Sequence, residues 1–285
     1  MVHDHDHGLG ADLERLIRQA ANRRRALRWL VAGGAGAGLL VACGGGGGDA
    51  GSSTTGSSTD DSSSSGSSGS TTCSVIPEET NGPYPGDGSN SNGSGVANAL
   101  LLSGIVRSDI RSSIGSSSDV AGVPMTLKIE LVNTNSSCAS LEGYAVYAWH
   151  CSATGLYSMY SSGVTDQTWL RGVQATDSSG SASFTTIFPG CYLGRMPHVH
   201  FEVYRSTTTA TSYSNRLATS QIAFPIDTCN TVYALSSYGS SASNFAQISF
   251  ATDNVFSDGY STEMCTISGD TTNGYVATLQ VGISV

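Results

Sequence analysis

Charge is scarce in this chain of 285 residues, and one kind is almost missing: 12% of residues are charged and Lys128 is the single lysine. Residues 1–42 take six of the 13 basic side chains, which leaves seven basic against 18 acidic residues in 43–285, a formal charge of −11. A surface of that sign repels nucleic-acid phosphates and anionic membrane faces, and argues against both as partners. Histidine is as sparse, occurring beyond residue 7 only at 150, 198 and 200. No C-x-x-C pair occurs, which argues against thiolate metal frameworks. No amphipathic helical repeat of useful length follows residue 72, and residues 44–72 are nearly all Gly, Ser, Thr and Asp. A segment without apolar side chains has nothing to offset its ordering entropy, so a disordered tether with a typical reach of about 30 Å is expected there.

What is present begins with an export pattern. Arg23, Arg24 and Arg25 precede an apolar run over 29–42 that is too short and Gly-rich for an ordinary membrane span, and Leu40-Val41-Ala42-Cys43 reads as a lipobox. Residues 1–42 are thus expected to be a signal with a helical core, Cys43 the lipidated first mature residue, 43–72 the tether and 73–285 one domain. The membrane is then met only through the lipid, in an exported protein held at the cell envelope or secreted. The arginine cluster resembles a twin-arginine signal, and the ordinary export route stays open beside it. His3, His5 and His7 fall in the segment to be removed, so metal chelation there has little use.

The domain reads as all-β. Residues 126–131 alternate Thr126, Lys128 and Glu130 with Leu127, Ile129 and Leu131, and further strands are expected at 145–151, 182–188, 198–204, 246–251 and 275–283. With Gly, Ser and Asn filling the intervals, the spacing predicts an antiparallel β-sandwich with long loops. Six cysteines remain once Cys43 is set aside: 73, 138, 151, 191, 229 and 265. An even number in an exported chain predicts up to three disulfides, with fifteen possible pairings left open.

The chemistry concentrates in residues 189–201, PGCYLGRMPHVHF. His198, His200 and Glu202 alternate with Val199, Phe201 and Val203, so both imidazoles leave one side of a strand and can reach one metal ion. Tyr192, carried in by the Pro-Gly turn, can add a phenolate oxygen. Two hydrogen-bonded histidines on a half-buried strand are the plainer alternative for that pair taken alone.

Several motifs in order carry a resemblance: residues 77–84 (PEETNGPY), 106–111 (VRSDIR), 122–127 (GVPMTL), Trp149-His150-Cys151 with Gly155-Leu156-Tyr157, 170–177 (LRGVQATD), 189–200, and 220–225 (SQIAFP). From about residue 73 to about 225 the chain resembles the intradiol ring-cleavage dioxygenases, the non-haem ferric family of protocatechuate 3,4-dioxygenase and catechol 1,2-dioxygenase. That resemblance implies a β-sandwich core and Fe(3+) held by Tyr157, Tyr192, His198 and His200. It implies cleavage of a small aromatic diol by O2 to a muconate-type dicarboxylate, without an external reductant. Tyr192 is implied as the phenolate that leaves the metal and takes a substrate proton, Arg195 as the cation facing charge that builds on the substrate, and Gln221 as its supporting glutamine.

Other residues of the motifs read differently. A surface ion pair is the alternative for Arg195, and Tyr160 is the alternative to Tyr157. His150 reads as a satisfied core histidine, Gln174 and Asp177 as turn residues, and Tyr84 as lining the mouth of the site. Cys191, next to a proposed iron ligand, is expected to be paired, because a free thiol there could reduce the metal. The family's usual helical dimerisation segment has no counterpart ahead of residue 73. A scaffold that binds polyphenols or glycans without turnover is the alternative function.

Overall fold

The computed structural model describes residues 73–285. The expected export signal and tether, with Cys43 and with His3, His5 and His7, lie outside the described residues. The strands are β1 (Asp87–Ser91), β2 (Val96–Asn98), β3 (Pro124–Asn133), β4 (Ala139–Ser140), β5 (Ala145–Trp149), β6 (Arg171–Ala175), β7 (Ser181–Ile187), β8 (His198–Tyr204), β9 (Arg216–Ala223), β10 (Thr266–Asp270) and β11 (Gly274–Ile283). Two short helices, α1 (Ile226–Tyr233) and α2 (Ser241–Phe245), separate β9 from β10.

One sheet runs β10-β11-β3, with β7 and then β4 along the far edge of β3; the other runs β6-β5-β8-β9; β1 and β2 form a separate hairpin. All pairings are antiparallel except β11 with β3, which is parallel from Tyr275 opposite Met125 to Ile283 opposite Asn133. The expected sandwich is therefore present with one parallel pair inside it. Leu127, Ile129 and Leu131 of β3, Phe184 of β7 and Val281 of β11 meet Val146 of β5, Val199, Phe201 and Val203 of β8 and Ile222 of β9 in the core between the sheets.

The second sheet also has a covered back. Tyr147 and Trp149 of β5, Val173 of β6 and Tyr204 of β8 pack with Ala99, Leu100 and Ile105 in a second cluster, under the arm that carries β1 and β2. All seven residues of β8 are buried, not the half-buried strand that its alternation suggested. A polar residue at every second position marks a solvent face only when nothing covers it.

Two other expectations are corrected. Residues 246–251 form turns after α2, because Ser249 and Thr252 hydrogen-bond each other's backbone and side chains instead of a neighbouring strand. α1 is a two-turn helix that the sequence reading passed over; it starts after Pro225 and buries Cys229, Val232 and Tyr233 along one side.

Only one of the three possible disulfides occurs among the described residues, Cys73 with Cys138. Cys151, Cys191, Cys229 and Cys265 are free and buried. Cys191 in particular is unpaired: its Sγ approaches the backbone carbonyls of Arg195 and Tyr192, while Cys151 Sγ approaches that of Gly190. Burial pushes both thiols up to about 12, which keeps them as thiols rather than reducing or metal-binding thiolates.

Candidate metal centre

β8 carries His198 and His200 on one side, and its neighbours fix both rings. Met196 O lies 2.6 Å from His198 Nδ1. A carbonyl only accepts, so Nδ1 holds the proton and Nε2 presents a bare lone pair. That Nε2 lies 3.0 Å from His200 Nε2, 3.3 Å from Tyr192 Oη and 3.4 Å from Tyr157 Oη. His200 stacks on Trp149, its cross-strand partner, with centroids 4.9 Å apart and planes 2° from parallel. Gly82 closes on the other side: a Cβ there would come within 3.1 Å of His200 Cε1, and its φ of +70° suits glycine.

Gly155, at φ +83°, turns the chain into Tyr157 and lies so close to Tyr192 that a Cβ would meet the tyrosine Cβ at 3.2 Å. Tyr157 is buried and Tyr192 half-buried. Tyr160, the alternative phenol, is engaged elsewhere, donating to Asn90 Oδ1 and accepting from the Gly86 amide. Tyr84 packs 4.9 Å from Tyr157, centroid to centroid.

Electrostatics leave the donors of this cluster uncharged. Desolvation, aided by Arg195, holds both imidazoles well below their ordinary value, so they stay neutral. Desolvation also raises both phenols, and Arg195 only partly opposes it. Four donors, two nitrogens and two phenol oxygens, thus converge with no protein cation inserted among them. A trivalent ion fits that set, since hard oxygen donors suit it and its charge would deprotonate the phenols. Among the described residues no group of three or more His, Cys, Asp or Glu side chains offers a rival metal site. A surface cleft near Cys73, with Glu130, Thr278 and Gln280 in its lining, holds none of these donors.

Arg195 is buried rather than a surface ion pair. Its Nε donates to Asp253 Oδ2 at 2.9 Å and its Nη2 to Gln221 Oε1 at 2.6 Å. Burial alone would lower the guanidinium, but Tyr192 and Asp253 offset that and raise its pKa above the ordinary value. Gln221, facing His200 across the β8–β9 pairing, is anchored by donating to Thr80 O. The structure thus brings Tyr157, Tyr192, His198, His200, Arg195 and Gln221 together.

His150 is satisfied in the core by Thr186 Oγ1 and the Cys151 carbonyl, with burial lowering it to about 4. Asp177 caps an exposed turn at Ser179 and Ser181, and Gln174 reaches the Val173 carbonyl. Two residues escaped the sequence reading. Arg171 is buried and donates to the carbonyls of Tyr84, Pro85 and Ser158, to Ser158 Oγ and to Tyr147 Oη, tying the arm to the sheet. It lies inside the quoted 170–177 motif, and a charge in a run of apolar strand residues was the available signal. Asp253 had no such signal.

No protein-family model matches the sequence, and no curated protein matches it. Among solved structures the chain is similar to an intradiol ring-cleavage dioxygenase from Tetranychus urticae, with 24% identity over 74% of this chain and 95% of that one and a TM-score of 0.58. It is similar to a second dioxygenase crystal structure at 24% identity, the same coverage and a TM-score of 0.57. The domain has the fold of these dioxygenases.

Proposed function

We propose that this protein cleaves the ring of a catechol-type aromatic diol with O2 in the intradiol manner, using ferric iron held by Tyr157, Tyr192, His198 and His200. The observation that carries the reading is the approach of three donor atoms from three side chains to within 3.4 Å of His198 Nε2. When bound, ferric iron would supply the electron-withdrawing centre that makes a chelated diol reactive toward O2. Both atoms of O2 enter the product, so no reductant is consumed.

The chain's own residues divide the remaining work. Tyr192, the more exposed phenol, is suited to leave the donor set and accept a substrate proton at Oη, while buried Tyr157 stays. Met196 O and Trp149 hold the imidazoles in register through the cycle. Arg195, fixed on Gln221 and Asp253, offers its guanidinium to charge that develops as a substrate oxygen becomes a ketone. Tyr84 gives the diol an aromatic wall beside Tyr157.

Full-length protein expressed in iron-replete medium should contain one iron per chain, show a red-brown phenolate-to-ferric colour and consume O2 with catechol, protocatechuate or hydroxyquinol. His200→Ala should lose both colour and turnover. Zinc, or no metal, would overturn the ligand set. A spectral shift with catechol but no O2 uptake would favour capture without turnover. We further propose export with a lipid on Cys43; Cys43→Ala should move the protein from the membrane to the soluble fraction, and unchanged fractionation would remove the anchor.

A further inference from the structure

One carboxylate, remote in sequence from every motif, reaches two parts of the candidate centre at once. Asp253 is fully buried, in the turn between α2 and β10, beside a small apolar cluster of Met196, Phe250, Val255 and Phe256. Its Oδ2 accepts from Arg195 Nε at 2.9 Å and from the Met196 amide at 2.7 Å. Its Oδ1 accepts from the amides of Val255 at 2.8 Å and Phe256 at 3.0 Å. All four partners are N–H donors. An amide cannot replace the carboxylate there, because its NH2 would have to face two of them. Met196, whose amide N–H is held by Oδ2, also supplies the carbonyl that accepts from His198 Nδ1.

We propose that Asp253 is a positioning residue for the reaction. A single oxygen fixes the direction of the Arg195 guanidinium and, by holding the backbone at Met196, the carbonyl that sets the tautomer and aim of His198. The proposal rests on the ring-cleavage reading of the site. The surroundings strengthen the role: Arg195 lies 5.8 Å above the Phe256 ring, so the amides that hold Asp253 also hold the surface against which the guanidinium packs. Charge-assisted hydrogen bonds in such an apolar setting are strong and directional. Without Oδ2, Arg195 keeps its bond to Gln221 and can swing about it. The cation then remains in the site but no longer faces the reacting oxygen.

The test is a double-mutant cycle of Asp253→Asn with Arg195→Ala in the full-length, iron-loaded protein, with the catechol spectral shift read beside turnover. If Asp253 acts through Arg195, Asp253→Asn lowers kcat by about a hundredfold, the scale of one misdirected charge-stabilising donor, with KM changed little. The double variant is then slower than Arg195→Ala by much less than the roughly hundredfold loss of Asp253→Asn alone, the remainder being the share carried through His198. Multiplying losses, or wild-type kcat in Asp253→Asn, would overturn the proposal.

A readout independent of turnover comes from nitrogen-15 NMR of the metal-free protein. The Arg195 Nε–H and the Met196 amide should be protected from exchange in wild type, and both should exchange rapidly in Asp253→Asn while the β3 amides stay protected. Lack of protection in wild type, or unchanged protection in the variant, would overturn it. Should the Asn variant fail to fold, Asp253→Glu, which keeps the charge but shifts it by one methylene, takes its place with the same expected losses. If wild type turns over no diol but the NMR result holds, ring cleavage fails and the anchoring of Arg195 and His198 stands.

Discussion

Along β3, in the five-stranded sheet, buried Leu127, Ile129 and Leu131 alternate with half-buried Thr126, Lys128 and Glu130, whereas β8, in the four-stranded sheet, buries His198, His200 and Glu202 as completely as Val199, Phe201 and Val203. The first sheet has one core and one wet face. The second has a core on each side, and the outer one contains ionisable groups. Each buried polar group must then find a partner, or its desolvation counts against the fold. The arm before β3 supplies many of those partners: Tyr84 and Pro85 carbonyls for Arg171, Thr80 O for Gln221 and Asp87 close to Glu202. Much of the polar side of the covered sheet is paired because another segment of chain supplies the partners.

The largest break in this contrast should come from Arg171→Met. It leaves three backbone carbonyls and two hydroxyls of the covered face short of a donor, and should cost about 3–5 kcal/mol by urea unfolding. The matching change on the wet face, Lys128→Ala, should stay within about 0.5 kcal/mol. Equal losses at the two positions would mean that the arm does not carry the difference.

Next in size is the disulfide, which lies on the one-core side. Removing it with Cys73→Ser and Cys138→Ser together should cost about 2–4 kcal/mol, since the bond closes a sequence separation of 65 residues. The colour of iron-loaded protein should survive, because no donor of the centre lies on that sheet. Loss of colour under conditions where the variant is folded would contradict the independence of the two sides.

A third effect is a slope with pH. Burial, and then Asp87, pushes the Glu202 carboxyl up to about 9. Its folded pKa therefore lies above the unfolded value of about 4.3, so the native state keeps a proton that the unfolded chain releases. The stability that this group contributes is complete below about pH 4.3 and declines as pH rises toward 9. Tyr204 Oη donates to Glu202 Oε2, and Gln at this position can accept from Tyr204 in the same way while carrying no titratable proton. Thermal midpoints at pH 5, 7 and 9 should fall for wild type and fall less for Glu202→Gln. Parallel curves would show that Glu202 is ionised in the fold.

How much of this was legible follows from the same contrast. Period-two alternation marks β3, β8 and β11 because it depends only on which side of a strand is apolar. It cannot tell water from a covering segment, so β8 read as half-buried. The close run of Tyr192, Arg195, His198 and His200 pointed to a candidate centre, since a phenol, a guanidinium and two imidazoles in nine residues have few structural uses. Asp253 was invisible: its role depends on a fold that returns the chain between α2 and β10 to Met196, and no spacing encodes that return. The cysteine count misled for a related reason. Evenness says how many bonds are possible, but Cys191 and Cys151 turn toward backbone carbonyls instead of forming one.

The disulfide also decides how the domain meets a mechanical load. A pull arriving along the chain from residues before Cys73 reaches the covalent bond to Cys138, beside β4 at the edge of the sheet, before it reaches the pairing of Val75 and Ile76 with Gly282. Noncovalent pairing at a terminus peels one hydrogen bond at a time. Here the force is passed sideways into the β3–β4 turn, and the first rung of that ladder is shielded. If the chain is held at a surface, shear is borne by the wet-faced sheet, and the covered sheet with its histidines lies off the load path.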